Sequence, residues 1–383
     1  MLKQQLHDLL VRAIDDHQIA GANLLVLRRG EELLYTQAGF ADKEKKIPYE
    51  RHTISRLYSM TKPITAAAAM LLVQRGQLDL GKNVGEILPE FQNMQVWENG
   101  KKVPARRNIL VKDLLNMTSG LAYPGEDPAG QEAARVFRQV DEALYGDAPL
   151  STREISRMLG SCALAFHPGD QWMYGTSADI LGAVIEAVSG MSLGEFLQKE
   201  FFAPLGMKDT AFFVPEEKRH RLAQVYESTP GGMAVYETDN LGICYTMHRA
   251  PAFESGGAGL ASTIDDYAAF ANMLMLGGAG ILTPQSVEYL AAGCLTDWQK
   301  ESCCHSWESM MGHTYGNLMR HLEEPGAALH NGWQGEYGWD GWLGCYFCNS
   351  PQNGITVLMT TQRRDAGTME LTRKIRNVIS AHL

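Results

Sequence analysis

Ser59 and Lys62 form the pair of side chains best suited to do chemistry together. They lie in Tyr58-Ser59-Met60-Thr61-Lys62, after a short strand-like run from Ile54 to Tyr58. A helical run follows, from Pro63 through Ala66-Ala67-Ala68-Ala69 to Arg75, and Gly76 stops it. Proline is tolerated in a first helical turn, where the amide it lacks would be unpaired. Residues three apart on a helix share a face about one turn apart. A serine hydroxyl is a weak nucleophile until a base takes its proton. Lysine is such a base when burial and neighbouring dipoles favour its neutral form. The positive helix end would also favour negative charge developing on a substrate. The plainer alternative is that Ser59 only caps the helix.

Two further stretches carry candidate groups. Tyr174 falls in His167-Pro168-Gly169-Asp170-Gln171-Trp172-Met173-Tyr174-Gly175-Thr176-Ser177, at the junction with a helix expected from Ala178. A phenol beside an ammonium group can relay a proton, although a buried, hydrogen-bonded tyrosine would look the same. Gly335-Glu336-Tyr337-Gly338-Trp339-Asp340-Gly341-Trp342 leads into a strand expected at Leu343. Glycines beside a strand let a ligand approach the backbone, and an amide there could join that of Ser59 as an oxyanion hole. The alternative is a Gly-rich turn with aromatic packing.

Together these motifs are specific. Ser59-Met60-Thr61-Lys62, Leu115-Asn116-Met117-Thr118-Ser119-Gly120-Leu121, Tyr174-Gly175-Thr176 and Trp339-Asp340-Gly341 occur in one order along the chain, with Pro204-Leu205-Gly206-Met207 and Ser255-Gly256-Gly257-Ala258-Gly259-Leu260 between them. From about Ala20 to the end, the chain resembles class C β-lactamase-like and penicillin-binding-protein-like serine hydrolases. The resemblance implies acylation of Ser59, a general-base role shared by Lys62 and Tyr174, and an oxyanion hole from the amides of Ser59 and Trp342. It also implies that Trp339, Thr176 and Gly341 bind substrate. β-Lactamases carry a Lys-Thr-Gly-like motif where this chain has Trp339-Asp340-Gly341, and tryptophan there resembles family VIII carboxylesterases. Thr176 replaces the usual Asn. Both departures favour neutral esters over β-lactams, unless Arg363 or Arg364 restores a carboxylate anchor instead of forming a solvated pair. The implied function is cleavage of carboxylic esters through an acyl-enzyme. The alternatives are a β-lactamase or D-amino-acid peptidase, an acyltransferase of the same family, and a non-catalytic binding protein.

The elements that must position these groups can be read around them. An amphipathic helix opens the chain, followed by a hairpin of Leu24–Leu27 and Glu32–Thr36 turning at Arg28-Arg29-Gly30-Glu31. Residues 78–102 read as loop, and helical segments dominate from Ile109 to Met207. Ser262, with Asp265 as its capping-box partner, begins a helix reaching Leu276. Strands over 342–348 and 355–360 precede a last helix over 369–381. The expected fold is α/β: an antiparallel sheet built from both chain ends and flanked by helices, with an inserted, mainly helical lobe, as in the β-lactamase/transpeptidase fold. The sheet region would comprise 1–75 and 310–383, the lobe 76–309, with the cleft between.

At 383 residues, 45% hydrophobic and a net charge of -10, the chain has ample core material and no footprint for nucleic acid or anionic membrane. Its start is too polar for a signal peptide, and no apolar run is long enough to span a bilayer. This implies a cytoplasmic protein whose seven cysteines are reduced. Gly190-Met191-Ser192-Leu193-Gly194 matches the nucleophile elbow of α/β-hydrolases, but a helix precedes it where that elbow needs a strand, so Ser192 reads as a cap. Cys303-Cys304-His305 and Cys345/Cys348 have poor spacing for zinc, so neither metal nor cofactor is expected. The Trp-, Cys- and Met-rich insert at 295–312, which overlaps a Cys-rich segment at 294–304, is instead expected to line the cleft. The expected partner is a small-molecule ester or amide.

Overall fold

The computed structural model describes every residue except Cys294 and Thr368. Its main sheet has eight strands, taken from both ends of the chain. Their spatial order is His313–Gly316, Met319–Leu322, Tyr337–Asp340, Tyr346–Ser350, Ile355–Thr361, Gly21–Arg28, Glu31–Asp42 and Ile47–Pro48. Every pairing is antiparallel. Gly21–Arg28 lies inside the sheet, with Val26 opposite Val357 on one side and Leu34 on the other.

A strand covered on both faces needs a continuous apolar run, and Leu24-Leu25-Val26-Leu27 supplies it. Successive side chains point to opposite faces. Leu24 and Val26 therefore pack with Leu6 and Leu10 of the helix Leu2–Asp15 and with Leu371 and Ile375 of the helix Glu370–Ser380. Leu25 and Leu27 join the larger core on the other face, which contains the helix Thr61–Gln74. That helix is buried all round except at Val73 and Gln74. Its small side chains at Ala66–Ala69 let neighbours such as the helix Ser177–Ser189 come close.

Several local expectations are corrected. The strand expected to begin near residue 342 starts at Tyr346. Gly341 N–H donates to the Cys345 carbonyl at 2.7 Å, and Gly344 adopts φ +92°, so a tight turn interrupts the aromatic run. The Trp339-Asp340 motif instead closes the preceding strand, Tyr337–Asp340. Within the expected loop at 78–102, Gln95–Glu98 pairs with Lys101–Pro104. The hairpin turns at Asn99-Gly100, both with positive φ, as a tight hairpin turn requires. Of the strand-like run from Ile54 to Tyr58, Ser55–Arg56 forms a strand paired with Ala261–Ser262, and Ile54 makes an isolated bridge to Leu222. Thr263, not Ser262, caps the helix Ile264–Met275, accepting from the Asp266 N–H. Asp265 accepts from Arg51 at 2.8 and 3.0 Å rather than closing a capping box. Among the described residues no single helix is long and apolar enough to cross a membrane.

Candidate active site

Ser59 occupies a single 3-10 turn, Tyr58–Met60, that runs directly into the helix beginning at Thr61. It caps nothing: that helix has no side-chain cap. Tyr58 holds φ +45°, a conformation that costs a residue other than glycine about 1–3 kcal/mol. The helix is stitched to the segment Ser255–Leu260. Thr65 Oγ1 donates to the Gly256 carbonyl at 2.7 Å, and Thr61 Oγ1 accepts from the Leu260 N–H at 3.1 Å. These contacts bring the Gly257 carbonyl to 2.8 Å from Lys62 Nζ.

Lys62 Nζ also lies 3.3 Å from Ser59 Oγ and 3.2 Å from the Tyr123 hydroxyl. The side chain is fully buried. Burial pulls its pKa from 10.5 down to about 7, against the opposing field of Asp179. About half the amine is therefore neutral at pH 7, as a base must be. Tyr174 completes the group. Its ring centre is 4.6 Å from Lys62 Nζ, and its hydroxyl, near enough to Ser59 to feel its influence, accepts from Trp339 Nε1 at 3.1 Å. Burial pushes the Tyr174 pKa well up despite those neighbours. The phenol therefore stays protonated at neutral pH, and of the two groups the Lys62 amine is the one with a neutral form near pH 7.

Tyr123 and Asp179 were missed in the motifs. Asp179, also buried, accepts from Ser255 Oγ at 2.6 Å and from the Gly257 N–H at 3.0 Å. A Cβ at Gly257 would come within 2.9 Å of both Asp179 Oδ2 and the Tyr123 hydroxyl, so only glycine fits between them. The one local signal for Tyr123 was its place two residues after the Thr118–Leu121 turn.

Gly341 explains how the far strand reaches Ser59. A Cβ there would meet the Leu57 carbonyl oxygen at 2.2 Å, so the backbone after Tyr337–Asp340 lies directly against the chain entering the Ser59 turn. Trp342 follows, its ring 5.0 Å from that of Tyr58. Among the described residues its amide N–H has no hydrogen-bond acceptor.

Ser59, Tyr174 and Trp342 line two cavities at once. One, of about 770 Å³, has walls that include Tyr58, Phe137, Leu241 and Ala258. The other, of about 570 Å³, is bounded by Trp307, Ser309, Arg320, Trp339 and Asp340. The insert thus contributes a wall through Trp307 and its neighbours, while Cys294 of the overlapping Cys-rich segment lies outside the described residues. Thr176 lines neither cavity: it is fully buried at the head of Ser177–Ser189, and its hydroxyl has no partner among the described residues. Arg363 donates to Ser228 and Arg364 to Glu227, and neither lines the two cavities. Ser192 caps Leu193–Leu197 in a capping box with Glu195, following the left-handed Gly190 that ends Ser177–Ser189. Among the described residues no three His, Cys, Asp or Glu side chains are placed to hold a metal ion.

The Beta-lactamase family model matches residues 6–379. Esterase EstB of Burkholderia gladioli is 29% identical over 382 residues, spanning 97% of this chain and 93% of that protein. Monacolin J acid methylbutanoyltransferase of Aspergillus terreus is 26% identical over 325 residues, 80% of this chain and 75% of that one. The solved structure of EstCE1, described as a hydrolase with promiscuous acyltransferase activity, superposes with a TM-score of 0.84 at 26% identity, covering 99% of this chain and 98% of that one. With its sheet, its Ser59–Lys62 turn and a family match over nearly its whole length, the chain belongs to the β-lactamase family.

Proposed function

We propose that the protein is a serine hydrolase that cleaves carboxylic esters through a covalent acyl-enzyme on Ser59. The observation that carries this is a buried amine, poised near neutrality, 3.3 Å from the Ser59 hydroxyl. Ser59 Oγ attacks the ester carbonyl carbon as its proton passes to neutral Lys62. The amides of Ser59 and Trp342 hold the oxyanion. The carbon–alkoxy bond breaks, and the leaving oxygen takes a proton relayed through Tyr174. Water then attacks the acyl carbon, gives its proton to Lys62 and releases the acid and Ser59 Oγ–H. Trp339 positions Tyr174 and puts a neutral ring at the motif position where β-lactamases present a cation. Gly341 shapes the site by admitting the strand, and Thr176 supports it from behind.

The reading includes a sheet region, 1–75 and 310–383, and a helical lobe, 76–309, as one catalytic unit. It also includes a cytoplasmic setting and small-molecule esters, without a cofactor. Acyl transfer is the second reading. The cavities on either side of Ser59 leave room for an acyl group and an acceptor together, and relatives are named for both activities.

The test compares wild type, Ser59→Ala and Ser192→Ala on p-nitrophenyl esters of several chain lengths and on nitrocefin. Ser59→Ala abolishes ester cleavage, Ser192→Ala largely keeps it, and nitrocefin is turned over poorly. Rapid nitrocefin turnover would overturn the ester preference. Failure of a fluorophosphonate probe to label Ser59 would indicate a binding protein. New esters formed in the presence of added alcohols would identify a transferase.

A further inference from the structure

Beyond Trp339, the second cavity adjoins a smaller one of about 30 Å³, sharing Ser309, Arg320, Leu329 and Arg373 with it. His313, His330, Tyr346 and Arg376 help close the small cavity, and among the described residues no carboxylate lines it. Arg320 is tied to Asp340 at 2.6 Å. Arg376, only 1% exposed, donates through Nη2 to Glu336. Its Nε and Nη1 are buried with no hydrogen-bond partner among the described residues. A buried guanidinium leaves donors unmet only at a cost. The rings of His313 and His330 stand 5.5 Å apart. Burial, then the nearby guanidiniums, pushes both pKa values down to about 3, so the positive charge here rests on arginine alone.

A buried water needs roughly 10–15 Å³ of such space, so the cavity takes a group of two or three heavy atoms. We propose that it is an anion subsite for a carboxylate-sized ligand, with Arg376 as its principal donor. The ligand is either a free small anion or a carboxylate at the remote end of a substrate lying across the second cavity. The substrate arm rests on the assignment of Ser59 as nucleophile; the free-anion arm does not.

Formate is titrated into the wild-type protein at constant ionic strength, with sulfate, which is too large for the cavity, as the balancing salt. The expected result is a saturable rise in Tm that formamide does not produce. Removing Arg376 alone would strand Glu336 in the interior, so the comparison variant is Arg376→Met with Glu336→Gln, in which the rise disappears. In the second arm, kcat/KM is compared for p-nitrophenyl hydrogen glutarate and its neutral methyl ester. The charged substrate is preferred, and the ratio falls about tenfold or more in the double variant. A formate response without that preference identifies a free anion; the preference identifies the substrate. If the double variant does not fold, Arg376→Lys replaces it and the wild-type formate–formamide comparison still decides. The proposal is overturned by a flat Tm together with no charge preference, or by responses that survive the double variant unchanged. Should Ser59 prove inert, the Tm arm alone decides the subsite.

Discussion

Replacing Lys62 with methionine separates the function of this side chain from its cost. A displacement of its pKa from 10.5 to about 7 corresponds to about 5 kcal/mol. The folded protein bears this below pH 7, because there the unfolded chain holds the proton without penalty. Between pH 7 and 10.5 the unfolded state binds more protons than the folded one, so wild-type stability rises with pH through this window. Above about 10.5 the penalty is gone. Methionine removes it, but leaves the Gly257 carbonyl without its donor, returning about 1–3 kcal/mol, while the Tyr123 hydroxyl still has Asp179 beside it. The net gain is about 2–4 kcal/mol at pH 6, or about 2–5 °C in Tm for a chain of 383 residues. The gain shrinks steadily as pH rises. At the same time kcat/KM for p-nitrophenyl butyrate falls by at least about 10³-fold, the scale of a lost general base. Paired thermal melts at pH 6 and pH 10, with esterase assays, test this directly. A variant less stable than wild type at pH 6, or one whose advantage grows with pH, refutes the reasoning.

Other substitutions probe the surrounding frame. The Asp179 charge raises the Lys62 pKa, so Asp179→Asn moves the acid limb of the wild-type kcat/KM profile, expected near pH 7, to lower pH. An unmoved limb would mean that Asp179 does not set it. Gly341→Ala forces a Cβ against the Leu57 carbonyl and displaces the Trp342 amide from Ser59. It lowers kcat by about 10²-fold or more, as loss of an oxyanion donor does, with a smaller change in KM. An alanine variant of wild-type activity would remove Trp342 from the oxyanion hole.

The proposed reacting pair was legible as neighbours because its geometry is local: three residues on one turn fix where Ser59 and Lys62 sit. What surrounds Lys62 was not, since the Gly257 carbonyl that holds its amine is 195 residues away and Tyr123 is 61 away. The sheet from both ends could be read from its apolar runs. The residues 342–348 read as a strand because their aromatic character is continuous, and it is the left-handed Gly344 that breaks them. Asn99-Gly100 was a hairpin signal in plain view, passed over because the polar residues around it look like loop. Thr176 stands at a motif position, yet only the packing of its helix decides that its hydroxyl faces the interior.

The position of Gly21–Arg28 within the sheet shapes how the protein is made. This strand leaves the ribosome long before the partner that zips along one of its sides, Ile355–Thr361. Until then a run of leucine and valine carries an unsatisfied hydrogen-bonding edge, the kind of template on which nascent chains aggregate. The Ser59 turn cannot be braced until the distant strand that leads into Gly341 has been made, and folding proceeds at the slow pace set by such distant contacts.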